Sequence, residues 1–396
     1  MNILQICKKT PIPPKDGEAI AIHQLTEMLS AKHQVSVLAM LTPKHSMQDE
    51  DSVYKVPNVI YHFIKITTEI SLLGLLKNLF SNQPYITNRF YDKSFEAKLK
   101  EILQTQNFDF IHLEGLFPAI YLPTIRKFSS AKVVLRAHNV EFQIWERLAA
   151  HEKNFFKKIY LKMAMIPRLK KLEIEISQSV DALLPISPVD ASFFESIRQS
   201  KANILTLPVG YQTFSTPQNN WCEPFNVGFI GGLDWLPNIE GLEWFVKQVW
   251  ESFSVGKTNV NLNIAGRNLT ESVASLASNN IHVVGEVENA QDFIAKQHIM
   301  LVPLFSGSGM RIKIIEAMAM GKCVLSTNIG AEGIAVNPNK DILLCNSSDD
   351  FLQALNQCFK DVNLLEQIGN AAIKTIAQKY NKEDLSNKLN QFYSQL

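Results

Sequence analysis

Val302-Pro303-Leu304-Phe305-Ser306-Gly307-Ser308-Gly309-Met310-Arg311-Ile312-Lys313-Ile314-Ile315-Glu316-Ala317-Met318-Ala319-Met320-Gly321 is the stretch on which the fold turns. Its apolar opening continues a run from Ile299 and has the length of a buried strand; Gly307 and Gly309 mark a tight turn, and residues 310–320 repeat apolar side chains at helical spacing. Strand, glycine-rich turn and helix in that order make half of a βαβ unit. The N–H groups of the first helical turn and the positive end of the helix dipole then converge on one point, which suits a diphosphate. Arg311 and Lys313 would add positive charge there, and Glu316 would accept hydrogen bonds from a sugar hydroxyl pair. In the plainer alternative the glycines only permit a turn, the two bases are solvated, and Glu316 pairs with Lys313 at i,i+3. Ile312 stands where a dinucleotide fingerprint needs its third glycine, which disfavours hydride transfer.

Outward from this stretch, strand-length apolar runs alternate with amphipathic helices in both halves of the chain. Strands are expected at 2–6, 34–40, 109–113, 132–136, 182–185 and 203–207, and again at 226–230, 259–265, 281–284, 299–303, 322–326 and 342–345. Helices are expected at 19–31, 238–253, 310–320, 349–359 and 362–379. The expected fold class is therefore α/β, with two Rossmann-like doubly wound domains facing a central cleft. The polar, proline-containing segment 208–224 reads as the linker between domains 1–207 and 225–379, and 380–396 as a C-terminal helix packing back toward the N-terminal domain.

With 396 residues there is chain enough for two cores. Lys plus Arg number 39 against 38 Asp plus Glu, a balance that argues against the broad basic surface of a nucleic-acid-binding protein. Cys7, Cys222, Cys323, Cys345 and Cys358 include no CxxC pair, so a reducing, cytoplasmic setting is expected. Residues 2–6 read as a strand rather than a leader, and no stretch approaches the roughly 18–20 apolar residues of a membrane span. Segment 152–172 mixes Lys153, Lys157, Lys158 and Lys162 with Phe155, Phe156 and Tyr160. It suits peripheral contact with an anionic inner membrane face; a helix with a solvated side, interrupted at Pro167, is the alternative. Asp49-Glu50-Asp51 spells an acidic triplet, but its polar neighbours make it a solvated loop, and no metal site is expected.

Two further positions stand at strand ends. Gly17 precedes the first expected helix, where a phosphate can approach backbone closely. Arg136-Ala137-His138-Asn139-Val140-Glu141 puts His138 at a sheet's carboxyl edge, where it faces a substrate or serves the structure alone.

The segment from Pro303 to Ile334, with Gly231-Gly232-Leu233-Asp234-Trp235-Leu236-Pro237-Asn238 and the His138 loop, resembles the signature of the retaining family 4 glycosyltransferases, which have the GT-B fold. The resemblance implies an acceptor-side first domain and a second domain that holds a nucleoside diphosphate sugar. It implies that Glu316 binds the ribose, that Gly309 and Met310 offer amides near the phosphates, and that Gly232 and Ser308 belong to the donor site. Gly17 would approach the diphosphate and His138 the donor sugar. Two departures stand out. Ser308 occupies the place of the first of two glutamates eight residues apart, and the basic pair usual after the second domain's first strand is missing, so Arg311 and Lys313 are expected to supply that charge. The implied reaction transfers a sugar with retention to a saccharide or lipid-linked acceptor, with no cofactor and no obligatory metal. The catalytic set is His138, Glu316 and Lys313, the leaving phosphate being stabilised electrostatically. The rivals are an epimerase on the same fold and a nucleotide-sugar-binding protein without turnover, the latter suggested by Ser308 and Glu18.

Overall fold

The apolar runs assemble into two six-stranded sheets in a computed structural model that describes residues 1–43, 45, 47–69, 78, 83–198, 202–212, 223–307 and 309–396. One unit comprises Met1–Val209 with Glu383–Leu396, the other Gly210–Lys382. The first contains β1 (Asn2–Cys7), β2 (Gln34–Leu41), β3 (Val59–Lys65), β4 (Phe110–Glu114), β5 (Lys132–Arg136) and β6 (Ala182–Leu183), in the order β3-β2-β1-β4-β5-β6. The second contains β7 (Phe225–Ile230), β8 (Val260–Ala265), β9 (Ile281–Gly285), β10 (Ile299–Val302), β11 (Cys323–Ser326) and β12 (Leu343–Leu344), in the order β12-β11-β10-β7-β8-β9. All these pairings are parallel.

Parallel sheets are covered on both faces, so alternate residues of one strand enter different cores. In β1, Leu4 and Ile6 enter one core while Ile3 and Cys7 enter the other. In β10, Ile299 and Leu301 oppose Met300 and Val302 in the same way. Each sheet has its switch point where its first and fourth strands lie side by side, β1 with β4 and β7 with β10, the place where open α/β sheets bind ligands at the carboxyl ends of their strands. The doubly wound α/β architecture expected from the sequence is thus present in both units.

Some boundaries require correction. β3 escapes the sequence pattern because it is an edge strand with half-exposed side chains, and His62 and Lys65 break its apolar run. Residues 203–207 form no regular strand; they run beside β6, with Leu205 N donating to Leu183 O at 3.0 Å and one parallel bridge between Leu183 and Ile204. The helix expected at 238–253 begins earlier, as Leu236–Phe245, and passes through the wider turn Val246–Trp250 into Glu251–Ser254. Met310 and Arg311 belong to a turn, and the helix is Ile312–Ala319. Of the expected linker, 213–222 lies outside the described residues, Cys222 included. Tyr211, within the second unit, donates its N–H to Tyr380 O at 2.7 Å.

The helix Lys382–Tyr393 buries Leu385, Leu389, Phe392 and Tyr393 in the first unit's core with Ile22 and Leu25 of the helix Gly17–Ser30. Full burial of each leucine contributes about 1.5–3 kcal/mol. The Tyr393 ring stacks on Phe110 at 4.4 Å, and its hydroxyl shares a hydrogen bond with His112 Nε2 inside the sheet.

Candidate functional site

The turn after β10 leaves the sheet beside the end of β7. Gly307 and Gly309 have φ of +104° and +86°, where a side chain is strained, so this path requires glycine. Ser308 lies outside the described residues. The helix Ile312–Ala319 buries Ile312, Ile314, Ile315, Ala317, Met318 and Ala319, which seats it against the sheet. It closes at Gly321, with Lys322 N donating to Ala317 O and Gly321 N to Met318 O, both at 3.0 Å, a Schellman ending. At its start Arg311 supplies no capping acceptor, so the N-cap side chain leaves the first-turn amides unoccupied.

Lys313 Nζ lies 4.1 Å from the centre of the Phe229 ring and 3.4 Å from Asn238 Oδ1. Desolvation, aided by the charge of Arg311, pushes its pKa down to about 7. The i,i+3 pair with Glu316 is not formed. Glu316 is raised above the usual carboxylate range by burial, against a hydrogen bond from Gln291, and its charge bears on the buried Tyr211 hydroxyl. Arg311 is buried, donates to Gly309 O and lies over the Trp235 ring at 5.3 Å, so it braces its own loop.

The Gly231-Gly232 pair completes this corner. Asn238 Nδ2 donates to Gly232 O at 2.8 Å, and Gly231 N donates to Ala265 O at 3.1 Å. A Cβ on Gly231 would stand 2.9 Å from Asn238 Nδ2 and 3.2 Å from Lys313 Nζ. Phe229 and Gln291 carry no sequence signal, whereas Gly231 and Asn238 fall in the segment 231–238 that bears the resemblance, with no role of their own assigned there. A glycine pair directly after a switch-point strand is the signal that points to Gly231.

In the first unit, Gly17 opens the helix Gly17–Ser30, whose N-terminus is already capped by Asp16 Oδ1 accepting from Ala19 N at 3.0 Å. Lys9 pairs with Asp16 at 2.6 Å and with Glu18 at 3.1 Å, and Lys8 pairs with Glu18 at 3.1 Å. These two lysines hold the Glu18 carboxyl far below its ordinary range despite burial. The carboxylates of Asp16 and Glu18 beside Gly17 are thus paired locally with Lys8 and Lys9.

His138 follows β5 and Glu114 ends β4. His138 Nε2 lies 3.2 Å from Glu114 Oε2, and Gln5 Nε2 donates to Glu114 Oε1 at 2.9 Å. Burial opposes the Glu114 charge, but the hydrogen bond with His138 and the charges of His138, His112 and Arg136 hold its carboxyl below the usual range. His138 Nδ1 is buried and has no hydrogen-bond partner among the described residues.

Within segment 152–172, residues 152–154 are a break after the helix Glu141–His151, and one helical rod runs on from Phe155. Phe155–Tyr160 passes through a π turn, Leu161–Met165, into Ile166–Ser179, and Pro167 falls in the first turn after the widening, where its missing N–H is tolerated. Phe155 (67%), Phe156 (82%) and Met163 (78%) are exposed beside the exposed Lys153, Lys157 and Lys162. Among the described residues no helix is long and apolar enough to cross a membrane, and no group of three His, Cys, Asp or Glu is placed to hold a metal. Asp51 accepts from Gln48 N at 2.8 Å within the turn Asp49–Tyr54.

Residues 224–361 match the family described as glycosyl transferases group 1. The chain is 24% identical over 397 residues to the uncharacterized 44.6 kDa protein in cps region of Klebsiella pneumoniae, across 96% of this chain and 97% of that protein. Anabaena HepE in complex with UDP superposes with a TM-score of 0.68 at 12% identity, covering 100% of both chains. Sucrose-phosphate synthase from Thermosynechococcus elongatus superposes with a TM-score of 0.69 at 16% identity, covering 100% of this chain and 99% of that one. The fold is that of the GT-B glycosyltransferases.

Proposed function

We propose that this chain is a retaining, metal-independent glycosyltransferase that moves a sugar from a nucleoside diphosphate sugar to a saccharide or lipid-linked acceptor. One observation carries the reading. Lys313 is held half-buried on an aromatic ring, without a carboxylate partner among the described residues, at the switch point beside an uncapped helix start and a pair of glycines. A cation kept out of water without a counter-ion is destabilising unless a ligand supplies the charge. A diphosphate does so, with the amides of the turn and first helical residues completing its hydrogen bonds. The HepE structures with UDP and with UDP-glucose support a uridine nucleotide as the first donor to try.

As the bond between sugar and diphosphate breaks, negative charge gathers on the leaving phosphate. Lys313 and the helix-start amides stabilise it; Arg311, engaged in its own loop, acts through its field. Glu316 takes the ribose hydroxyls, for which a carboxylate is an acceptor pair. His138 in the first unit takes a hydroxyl of the donor sugar. The exposed Phe155, Phe156 and Met163 with their neighbouring lysines hold the enzyme at the cytoplasmic face of an anionic membrane, where a lipid-linked acceptor is found.

The test is a thermal-shift series with nucleoside diphosphates and nucleotide sugars, followed by transfer assays. Lys313→Ala and Glu316→Ala are each expected to lower turnover at least about tenfold, or about 1.4 kcal/mol of transition-state stabilisation. Folded variants with full turnover would remove the assignment.

A further inference from the structure

Resting on the assignment of His138 above and going beyond it, we propose that Glu114 is a positioning residue that fixes His138 as its Nε2–H tautomer, so that Nδ1 presents a lone pair to a hydroxyl of the bound substrate.

Glu114 is fully buried at the end of a central strand, a place where a carboxylate is strongly disfavoured unless it is paired. Every short contact it makes is to a donor. Gln5 Nε2 occupies Oε1 at 2.9 Å, and His138 Nε2 faces Oε2 at 3.2 Å. Around the pair stand His112 from β4, Arg136 from β5 and Glu18 from the helix Gly17–Ser30, with Tyr393 from the helix Lys382–Tyr393 beyond them. His112 Nδ1 is 3.8 Å from Oε1, outside hydrogen-bond reach, and its Nε2 is taken by the Tyr393 hydroxyl, so His138 is the histidine that Glu114 orients.

An ionised carboxylate is only an acceptor, so the proton of a neutral His138 must sit on Nε2. That leaves Nδ1 as an acceptor. It is the ring atom without a hydrogen-bond partner among the described residues, and a buried polar atom left so is destabilising unless a ligand supplies the bond. A hydroxyl-bearing substrate supplies the missing donor. This is the division of labour in which a buried acid sets a histidine's tautomer while the opposite nitrogen works.

Glu114→Gln is the diagnostic variant because it is nearly isosteric and reverses the hydrogen-bond polarity. Its amide N–H would donate to His138 Nε2 and move the ring proton to Nδ1, turning an acceptor into a donor. Full-length protein labelled with 15N-histidine reads the tautomer directly, His138 being assigned by the signal lost in His138→Ala. Expected are an Nε2–H pattern in the wild type and in Glu114→Asp, an Nδ1–H pattern in Glu114→Gln, and a fall in kcat of at least about tenfold for Glu114→Gln with donor KM little changed. A wild-type Nδ1–H pattern, or the same tautomer in wild type and Glu114→Gln, overturns the proposal. If the tautomer switches while Glu114→Gln and His138→Ala both keep full turnover, the substrate half of the proposal falls together with the role of His138, while the donor site around Lys313 stands.

Discussion

Lys313 Nζ stands 3.4 Å from Asn238 Oδ1, and the space beside them is kept open by Gly231, whose Cβ, were it present, would lie 3.2 Å from the ammonium. An amide oxygen and an aromatic face replace the carboxylate that a partly buried lysine ordinarily finds. An ammonium so placed is costly to the fold while it carries its charge, and that cost can be measured.

Lys313→Met is expected to lose nucleotide binding and raise the thermal midpoint. The folded pKa of about 7 lies below the ordinary 10.5, so the unfolded chain holds the proton that the native state gives up between those values. The destabilisation is full below about pH 7 and fades as pH rises toward 10.5. Melting curves should show the variant ahead of the wild type at pH 6–7, with the gap closing by about pH 10. A variant that melts below the wild type at pH 6 contradicts this.

Gly231→Ala should fold and bind donor about tenfold more weakly, because the new methyl crowds both Lys313 and Asn238. Gly266→Ala is a control of the opposite kind. Its Cβ would meet Gly231 O at 1.7 Å, so it should lower stability by several kcal/mol before any binding is measured. Titration calorimetry on the first and denaturant melts on the second separate the two effects.

Glu173 gives the first unit a pH dependence of its own. It is buried, accepts from Glu141 N at 2.9 Å and Phe142 N at 3.0 Å, and is raised to about 8, chiefly by desolvation. The native state therefore keeps a proton that the unfolded chain loses above about pH 4, and stability present at low pH is lost as pH rises through 8. Glu173→Gln removes that titration, so its midpoint should fall less than the wild type's between pH 5 and pH 8. Parallel curves would count against it.

Phe155→Ser with Phe156→Ser should cut recovery on anionic vesicles at least about fivefold, since both rings are exposed beside lysines. Co-sedimentation decides it. Equal wild-type recovery on neutral and anionic lipid would exclude the electrostatic part of the contact.

Much of the architecture is legible along the chain because strands covered on both faces read as unbroken apolar runs. β3 is not, since an edge strand needs only one good face and tolerates His62 and Lys65. Pro167 reads as a break because sequence spacing assumes a regular helix, whereas the π turn Leu161–Met165 absorbs the proline without ending the rod. The Lys313 and Glu316 motif is local and so can be read directly. The engagement of Arg311 with Trp235, the clearance at Gly231 and the bond from Gln5 to Glu114 join residues far apart in sequence, and no local pattern announces them. Glu114 is the clearest instance: at the end of Phe110-Ile111-His112-Leu113 it reads as the polar finish of a strand, yet it is sealed inside.

Tyr393 settles against Phe110 and His112, strand residues that leave the ribosome almost three hundred positions earlier. The first unit of the nascent chain must therefore wait, its inner layer unfinished, while the whole contiguous second unit emerges. Chaperone demand during translation should fall on the first unit, and replacing Tyr393 should loosen β4, which is made long before it.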